Sequence, residues 1–111
     1  MYIQLAPGRA KVGVDEATIL KASDEFETHF VKQQKGIIKR ILMKGKGGTY
    51  ADLVFFESKE AADRVAEAEQ AGHPACLDFS NYLRWTKRKQ IWPSSVLRIS
   101  KHTVNRFKLR L

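Results

Sequence analysis

Cysteine is scarce in this sequence of 111 residues, and several other features are absent. The single cysteine, Cys76, excludes an internal disulfide framework and fits a reducing compartment. Three scattered histidines and one cysteine offer none of the ligand spacings of a metal site, and the glycines at 45–48 lead into a strand and not a helix, as a phosphate-binding loop would, so we expect no metal and no cofactor. The chain begins MYIQLAPGRA, without a basic start before an apolar run, and no stretch approaches the roughly 18 apolar residues of a membrane span. We therefore expect a soluble, cytoplasmic protein with no membrane partner.

Acidic residues are missing from the last quarter of the chain. Residues 1–83 hold 11 basic and 12 acidic residues, whereas residues 84–111 hold nine basic residues and no acidic one. The net charge of +8 therefore belongs to the end of the chain and says little about its body. We expect one domain, with an α+β body over 1–83 and a basic segment over 84–111 that supplies the last strand.

The first third of the chain predicts a strand followed by a long helix. Residues 2–12 alternate weakly and are interrupted at Pro7, which indicates a strand that is bulged or lies on an edge. Asp15 is the predicted N-cap of a helix of roughly five turns that ends before Gly36. Its apolar residues recur at spacings of three and four and are Ile19, Ala22, Phe26 and Phe30.

Two strands joined by glycines predict an antiparallel hairpin. Gly47 and Gly48 supply the positive φ of a tight turn between strands over 37–44 and 49–57. The second strand is apolar over 53–56, so it is predicted to be central and covered. The residues expected on one face of the first strand are Ile37, Lys39, Ile41 and Met43.

The remainder predicts two helices and a last strand. Ser58 is the expected N-cap of a second helix that ends at Gly72, and a short third helix is expected over 75–83. Residues 85–92 form a basic connector without clear periodicity, and residues 96–100 are the expected last strand.

This order of elements is that of the ferredoxin-like β-α-β-β-α-β fold, an α+β fold with an antiparallel sheet. Two helices would cover one face of the sheet and leave the other bare. We expect Ile41, Met43, Val54 and Phe56 on the bare face. A face that apolar is unusual on a monomer, so a second copy of the chain or a ligand should cover it.

The chain from Pro7 to Leu83 resembles the antibiotic-biosynthesis-monooxygenase-like family of dimeric α/β barrels. The segments that carry the resemblance are Gly13-Val14-Asp15 before the long helix, Gly36-Ile37-Ile38-Lys39-Arg40, Asp52-Leu53-Val54-Phe55-Phe56-Glu57-Ser58, Ser58-Lys59-Glu60-Ala61-Ala62 and His73-Pro74-Ala75-Cys76. The resemblance implies a homodimer in which two sheets face each other, with a pocket in each subunit between sheet and helices. Some members oxidise polycyclic aromatic molecules without metal or flavin, and others degrade haem. It therefore implies either a cofactor-independent monooxygenase or a relative that binds a small aromatic or apolar ligand without catalysis.

Three residues are candidates for the site. His73 has the residue type of a general base, although its place before Pro74 at a helix start also fits a cap. Tyr50 and Asp52 share one face of the central strand and could orient a polar aromatic ligand. Asp52 could instead pair with a basic neighbour across the hairpin, such as Lys39 or Arg40.

Nucleic-acid binding is the alternative of a different class. RNA-recognition domains share this topology and stack bases on aromatic residues of the central strands. The basic segment, which includes Trp85 and Trp92, could add affinity for nucleic acid. An acidic residue, Asp52, at the centre of the strand argues against this alternative, so we do not expect nucleic acid as the partner.

Overall fold

The fold comes from a computed structural model, which describes residues 1–91 and 108–110. The elements, in chain order, are β1 (Tyr2–Ala10), α1 (Glu16–His29), a 3-10 turn (Val31–Gln33), β2 (Ile37–Lys44), β3 (Thr49–Phe56), α2 (Lys59–Gln70), α3 (Pro74–Tyr82), β4 (Leu83–Trp85), β5 (Lys89–Ile91) and β6 (Lys108–Arg110).

The predicted helix starts are confirmed by their capping hydrogen bonds. Asp15 Oδ1 accepts from the Thr18 amide at 2.8 Å, and Ser58 Oγ accepts from the Ala61 amide at 3.1 Å. The first helix is shorter than expected, because it ends at His29 and continues as a 3-10 turn. This tighter turn brings Val31 into the core.

The sheet is open and antiparallel, with the strand order β4-β1-β3-β2-β6 and with β5 also paired to β1. The helices contribute to one hydrophobic cluster, on one face of this sheet. The predicted α+β, ferredoxin-like fold is therefore confirmed. Among the described residues, no helix is long and apolar enough to cross a membrane.

The expected connector over 85–92 is wrong, because β4 ends at Trp85, β5 occupies Lys89–Ile91, and both strands pair with β1. The Pro7 carbonyl accepts from the Thr86 amide at 2.9 Å, but proline has no N–H to return the second ladder bond. The chain opposite β1 also contains one extra residue between β4 and β5. The irregularity expected at Pro7 thus lies opposite it, between β4 and β5. β1 itself keeps one register with β3 throughout. The expected strand over 96–100 lies outside the described residues.

A β-bulge changes the predicted faces of β2. Ile37 pairs with Phe56 and Lys39 with Phe55, so one residue of β2, Ile38, has no partner of its own. Ile37 therefore lies on the helix side with Phe56, not on the face of Ile41 as strict alternation predicted.

Two of the four residues predicted on the second face of the sheet, the face away from the helices, are confirmed. Ile41 and Met43 lie there, but Val54 and Phe56 face the helices. The register explains this, since Ile41 is opposite Leu53 and directly opposed residues share a face. The second face is also not bare, because its five core residues are buried within a single copy of the chain: Ile3, Ile41, Met43, Ala51 and Leu53. These residues therefore do not form the exposed apolar face that was expected to bind a second copy of the chain.

Candidate functional site

A cleft lies between the helix-side face of the sheet and the helices, and it has two adjoining sections. Five residues line both sections: Ala6, Phe26, Asp52, Glu69 and Arg88. The apolar walls of the first section include Phe30, Val31, Ile37, Val54, Phe56 and Val65. The second section is completed by Cys76, Phe79, Ser80, Trp85 and Thr86. The space between the lining atoms is about 410 Å³ in the first section and about 490 Å³ in the second, part of it open to solvent.

An ion pair lies deep in this cleft, between β2 and β3. Arg40 Nε is 2.9 Å from Asp52 Oδ1 and 3.0 Å from Oδ2, and the N–H is directed at Oδ2. The two side chains are only 4% and 10% exposed. Arg40 is opposite Val54 and Leu42 is opposite Asp52 in the regular ladder after the bulge, so both charged side chains lie on the helix side of adjacent strands. Of the two basic residues that could pair with Asp52 across the hairpin, Lys39 and Arg40, the partner is Arg40.

Aromatic rings and a hydroxyl hold the Arg40 guanidinium in place. Its central carbon lies 4.9 Å from the ring centre of Phe26 and 5.1 Å from that of Phe79. Its Nη2 donates to the hydroxyl of the buried Ser23 at 3.0 Å. Cation–π contacts strengthen when they are desolvated, so Arg40 is oriented from three sides before any ligand arrives.

The buried carboxylate of Asp52 keeps unused hydrogen-bonding capacity in the cleft. Its Oδ1 is buried and accepts no hydrogen bond from any of the described residues. Burial raises the pKa of the Asp52 carboxyl, and the neighbouring Arg40 charge offsets part of that rise. The Arg40 charge, 2.9 Å from Oδ1, offsets part of the cost of burying this oxygen, and a hydrogen-bond donor from a ligand would offset more of it.

A second ion pair crosses the outer part of the cleft. Arg88, from the irregular segment between β4 and β5, donates to both carboxylate oxygens of Glu69 on α2, at 3.0 and 2.7 Å. This pair is more open than the first, with side-chain exposures of 46% for Arg88 and 19% for Glu69. The Glu69 hydrogen bonds raise the pKa of Arg88, which keeps it charged.

The structure brings one of the three predicted site residues, Asp52, into the cleft. Tyr50 is buried in the helix-side core and lines neither section. His73 also lines neither section. It is the N-cap of α3, where Nδ1 accepts from the Ala75 amide at 3.1 Å and the ring edge contacts Phe30.

Cys76 lines the second section from α3 and is buried. Burial raises the pKa of its thiol to about 11, and the Glu69 carboxylate adds to the rise. A thiol with such a pKa is a weak nucleophile at neutral pH. Among the described residues, no group of three His, Cys, Asp or Glu side chains could hold a metal ion.

Sequence reasoning missed Glu69 and Arg88. A signal for Glu69 existed, because it follows Ala61 and Val65 at spacings of four and is therefore a charge on the apolar face of α2. Arg88 had no such signal among the basic residues around it. Its role depends on a strand irregularity opposite Pro7, which is 81 positions away in the sequence.

No family model and no curated protein matches the sequence. Among solved structures, the fold is similar to that of a chain described as "Putative antibiotic biosynthesis monooxygenase from Nitrosomonas europaea". The TM-score is 0.58, with 82% of this chain and 94% of that chain covered, at 12% identity. The chain thus has the fold of the antibiotic-biosynthesis-monooxygenase-like proteins, and the resemblance noted in the sequence is supported at the level of the fold.

Neither the comparison nor the geometry supports the nucleic-acid alternative. Tyr50, Asp52 and Val54 face the helices rather than an open sheet surface. The aromatic residue of β3 on the other face is Phe55, among aliphatic neighbours that are buried. A stacking surface for bases needs exposed aromatic rings, which the described part of this face does not present.

Proposed function

We propose that the chain binds a small aromatic molecule in the cleft, and that the ligand donates a hydrogen bond from a hydroxyl or amine group to Asp52 Oδ1. The observation that carries the proposal is the Asp52 carboxylate, which lines both sections of the cleft and whose buried Oδ1 accepts no hydrogen bond among the described residues. The walls around it are apolar and partly aromatic. A mostly apolar cleft with few oriented polar groups is typical of small-molecule sites.

Oxidation of this ligand by molecular oxygen is the finer form of the proposal, and the fold shared with the Nitrosomonas europaea chain supports it. A reaction of this kind without metal or flavin takes its electrons from the substrate, which must first lose a proton. Asp52, the more deeply buried of the two carboxylates that line the cleft, could accept that proton, and Arg40 would stabilise the carboxylate before the transfer. Binding without catalysis is the simpler form of the proposal. Oxygen consumption in the presence of protein and ligand would distinguish oxidation from binding alone.

Two further proposals concern the assembly. Pairing of β4 and β5 with β1 supports one domain that includes the beginning of the basic segment. We also propose a homodimer, which is supported by the shared fold and by the exposed Ile38 at the bulge of β2. Sedimentation equilibrium should then give twice the chain mass of 12.7 kDa, and a strict monomer would contradict the dimer.

Naphthol and naphthalene provide a matched pair of ligands for the test, because they differ by one hydroxyl group. We expect the chain to bind naphthol about tenfold or more tightly than naphthalene, as hydrogen bonds to charged groups contribute roughly 1.5–3 kcal/mol. Asp52→Asn should reduce this preference and leave naphthalene binding nearly unchanged. Asp63→Asn, on the exposed side of α2, is the control for loss of one carboxylate. Equal affinity for both ligands, or no binding of either, would overturn the proposal.

A further inference from the structure

The Glu69–Arg88 ion pair lies where the two sections of the cleft meet. Both residues line both sections, together with Ala6, Phe26 and Asp52. The pair joins α2 to the edge of the sheet through two hydrogen bonds between a guanidinium and a carboxylate. It therefore crosses the cleft instead of lying along one wall.

The backbone before Arg88 is anchored on β1. The amide and the hydroxyl of Thr86 both donate to the Pro7 carbonyl, at 2.9 and 3.0 Å. Trp85 packs against Gly8, where an added Cβ would lie 2.7 Å from the indole ring, and its ring contacts Phe79 edge-on. The base of the Arg88 side chain is thus held, while its charged end reaches across the cleft to Glu69.

The exposure of the pair makes it able to open. The Arg88 side chain is nearly half exposed, so water competes for its charge, whereas the Glu69 carboxylate is 19% exposed and accepts both hydrogen bonds. When the pair separates, the Arg88 charge can be hydrated at the cleft mouth. The deeper Arg40–Asp52 pair has no such access to water.

We propose that the Glu69–Arg88 pair is a movable partition that selects ligands by length. Closed, it separates the two sections and admits a ligand that fills one of them. Open, it joins the sections and admits a longer fused-ring ligand that spans both. The selection of ligands rests on the proposed binding in the cleft, but the opening of the partition can be measured without any ligand.

Cys76 reports on the opening, because it is the single cysteine of the chain and lines the second section. The rate of its reaction with uncharged dithiodipyridine should rise about threefold to fivefold in Arg88→Met, since an exposed pair holds the closed state only weakly. The electrostatic effect alone predicts the opposite result. Arg88 lowers the pKa of the Cys76 thiol, so its removal would leave less thiolate and slow the reaction.

Arg84→Met is the matched control, because Arg84 is an exposed arginine of β4 that lines neither section. It should leave the thiol reaction unchanged. High salt should accelerate the reaction of the unmodified chain and have little effect on Arg88→Met, because salt screens the pair. A slower or unchanged rate in Arg88→Met would overturn the partition. So would a faster rate that is explained by loss of global stability in urea unfolding.

Ligand length provides the second measurement. Arg88→Met should bind hydroxypyrene, with four fused rings, several-fold more tightly than the unmodified chain does, while its affinity for naphthol changes little. An unchanged ratio of the two affinities would reject the selection by length. Failure of naphthol to bind the unmodified chain would reject the proposed function instead, and the thiol rates would then decide by themselves whether the pair closes the cleft.

Discussion

The two ion pairs of the cleft have the same chemistry and very different surroundings. Arg40 and Asp52 are almost fully buried, and the Arg40 guanidinium contacts two aromatic rings. Glu69 and Arg88 meet at the mouth of the cleft, where Arg88 is nearly half exposed. Water has ready access to Arg88 of the outer pair but to neither partner of the inner pair. This difference indicates that an arginine–carboxylate pair stays closed when it is buried and can separate when solvent reaches it.

The largest effect is expected from breaking the inner pair. Arg40→Met keeps an extended side chain between Phe26 and Phe79 but leaves the Asp52 carboxylate buried without a cation. We expect a loss of about 3–5 kcal/mol in the free energy of unfolding, the range found when one partner of a buried pair is removed. Urea unfolding measures this directly. A loss below about 1 kcal/mol would place the inner pair in the same class as exposed pairs.

Removing both inner charges should cost less than removing one. In the double variant Arg40→Met, Asp52→Leu, neither charge remains buried alone, and apolar side chains fill the space. The loss in the free energy of unfolding should be less than half of that in Arg40→Met, and the cycle with both single variants gives their coupling. Additive losses would show that the two side chains act independently.

The pH dependence of stability should distinguish the inner carboxylate from the others. Because burial raises the pKa of Asp52 above its ordinary 3.8, the folded state binds this proton more tightly than the unfolded state. Its contribution to stability is therefore full below that ordinary value and is lost as the pH rises through the raised pKa. As the pH rises from below 3.8 through the raised pKa, the unmodified chain should lose stability relative to Asp52→Asn. A relative gain over the same range would show that Arg40 outweighs burial.

The smallest effect is expected at the outer pair. Arg88→Met should change the free energy of unfolding by about 1 kcal/mol or less, because exposed pairs contribute little. Circular dichroism during urea unfolding can measure the change beside that of Arg84→Met. A loss as large as that of Arg40→Met would remove the contrast between the pairs and would argue that Arg88 is a structural residue.

The candidate site was predicted in part. Asp52 and its partner Arg40 could be inferred, because they lie on adjacent strands of one hairpin and only 12 positions apart. Tyr50 shares the strand face of Asp52 but lies outside the cleft, since a face alone does not define where helices leave space. The capping role of His73 was an alternative from the start, and its hydrogen bond to the Ala75 amide is local in sequence.

The sequence by itself determined the local structure: the caps at Asp15 and Ser58, the glycine turn of the hairpin and the order of the α+β elements. These features depend on hydrogen bonds and backbone preferences within a few residues of one another. The tertiary structure decided the bulge in β2, the pairing of β4 and β5 with β1, and the Glu69–Arg88 contact across the cleft. Those features depend on register between distant strands, and a register shift of a single residue moves a side chain to the other face of the sheet.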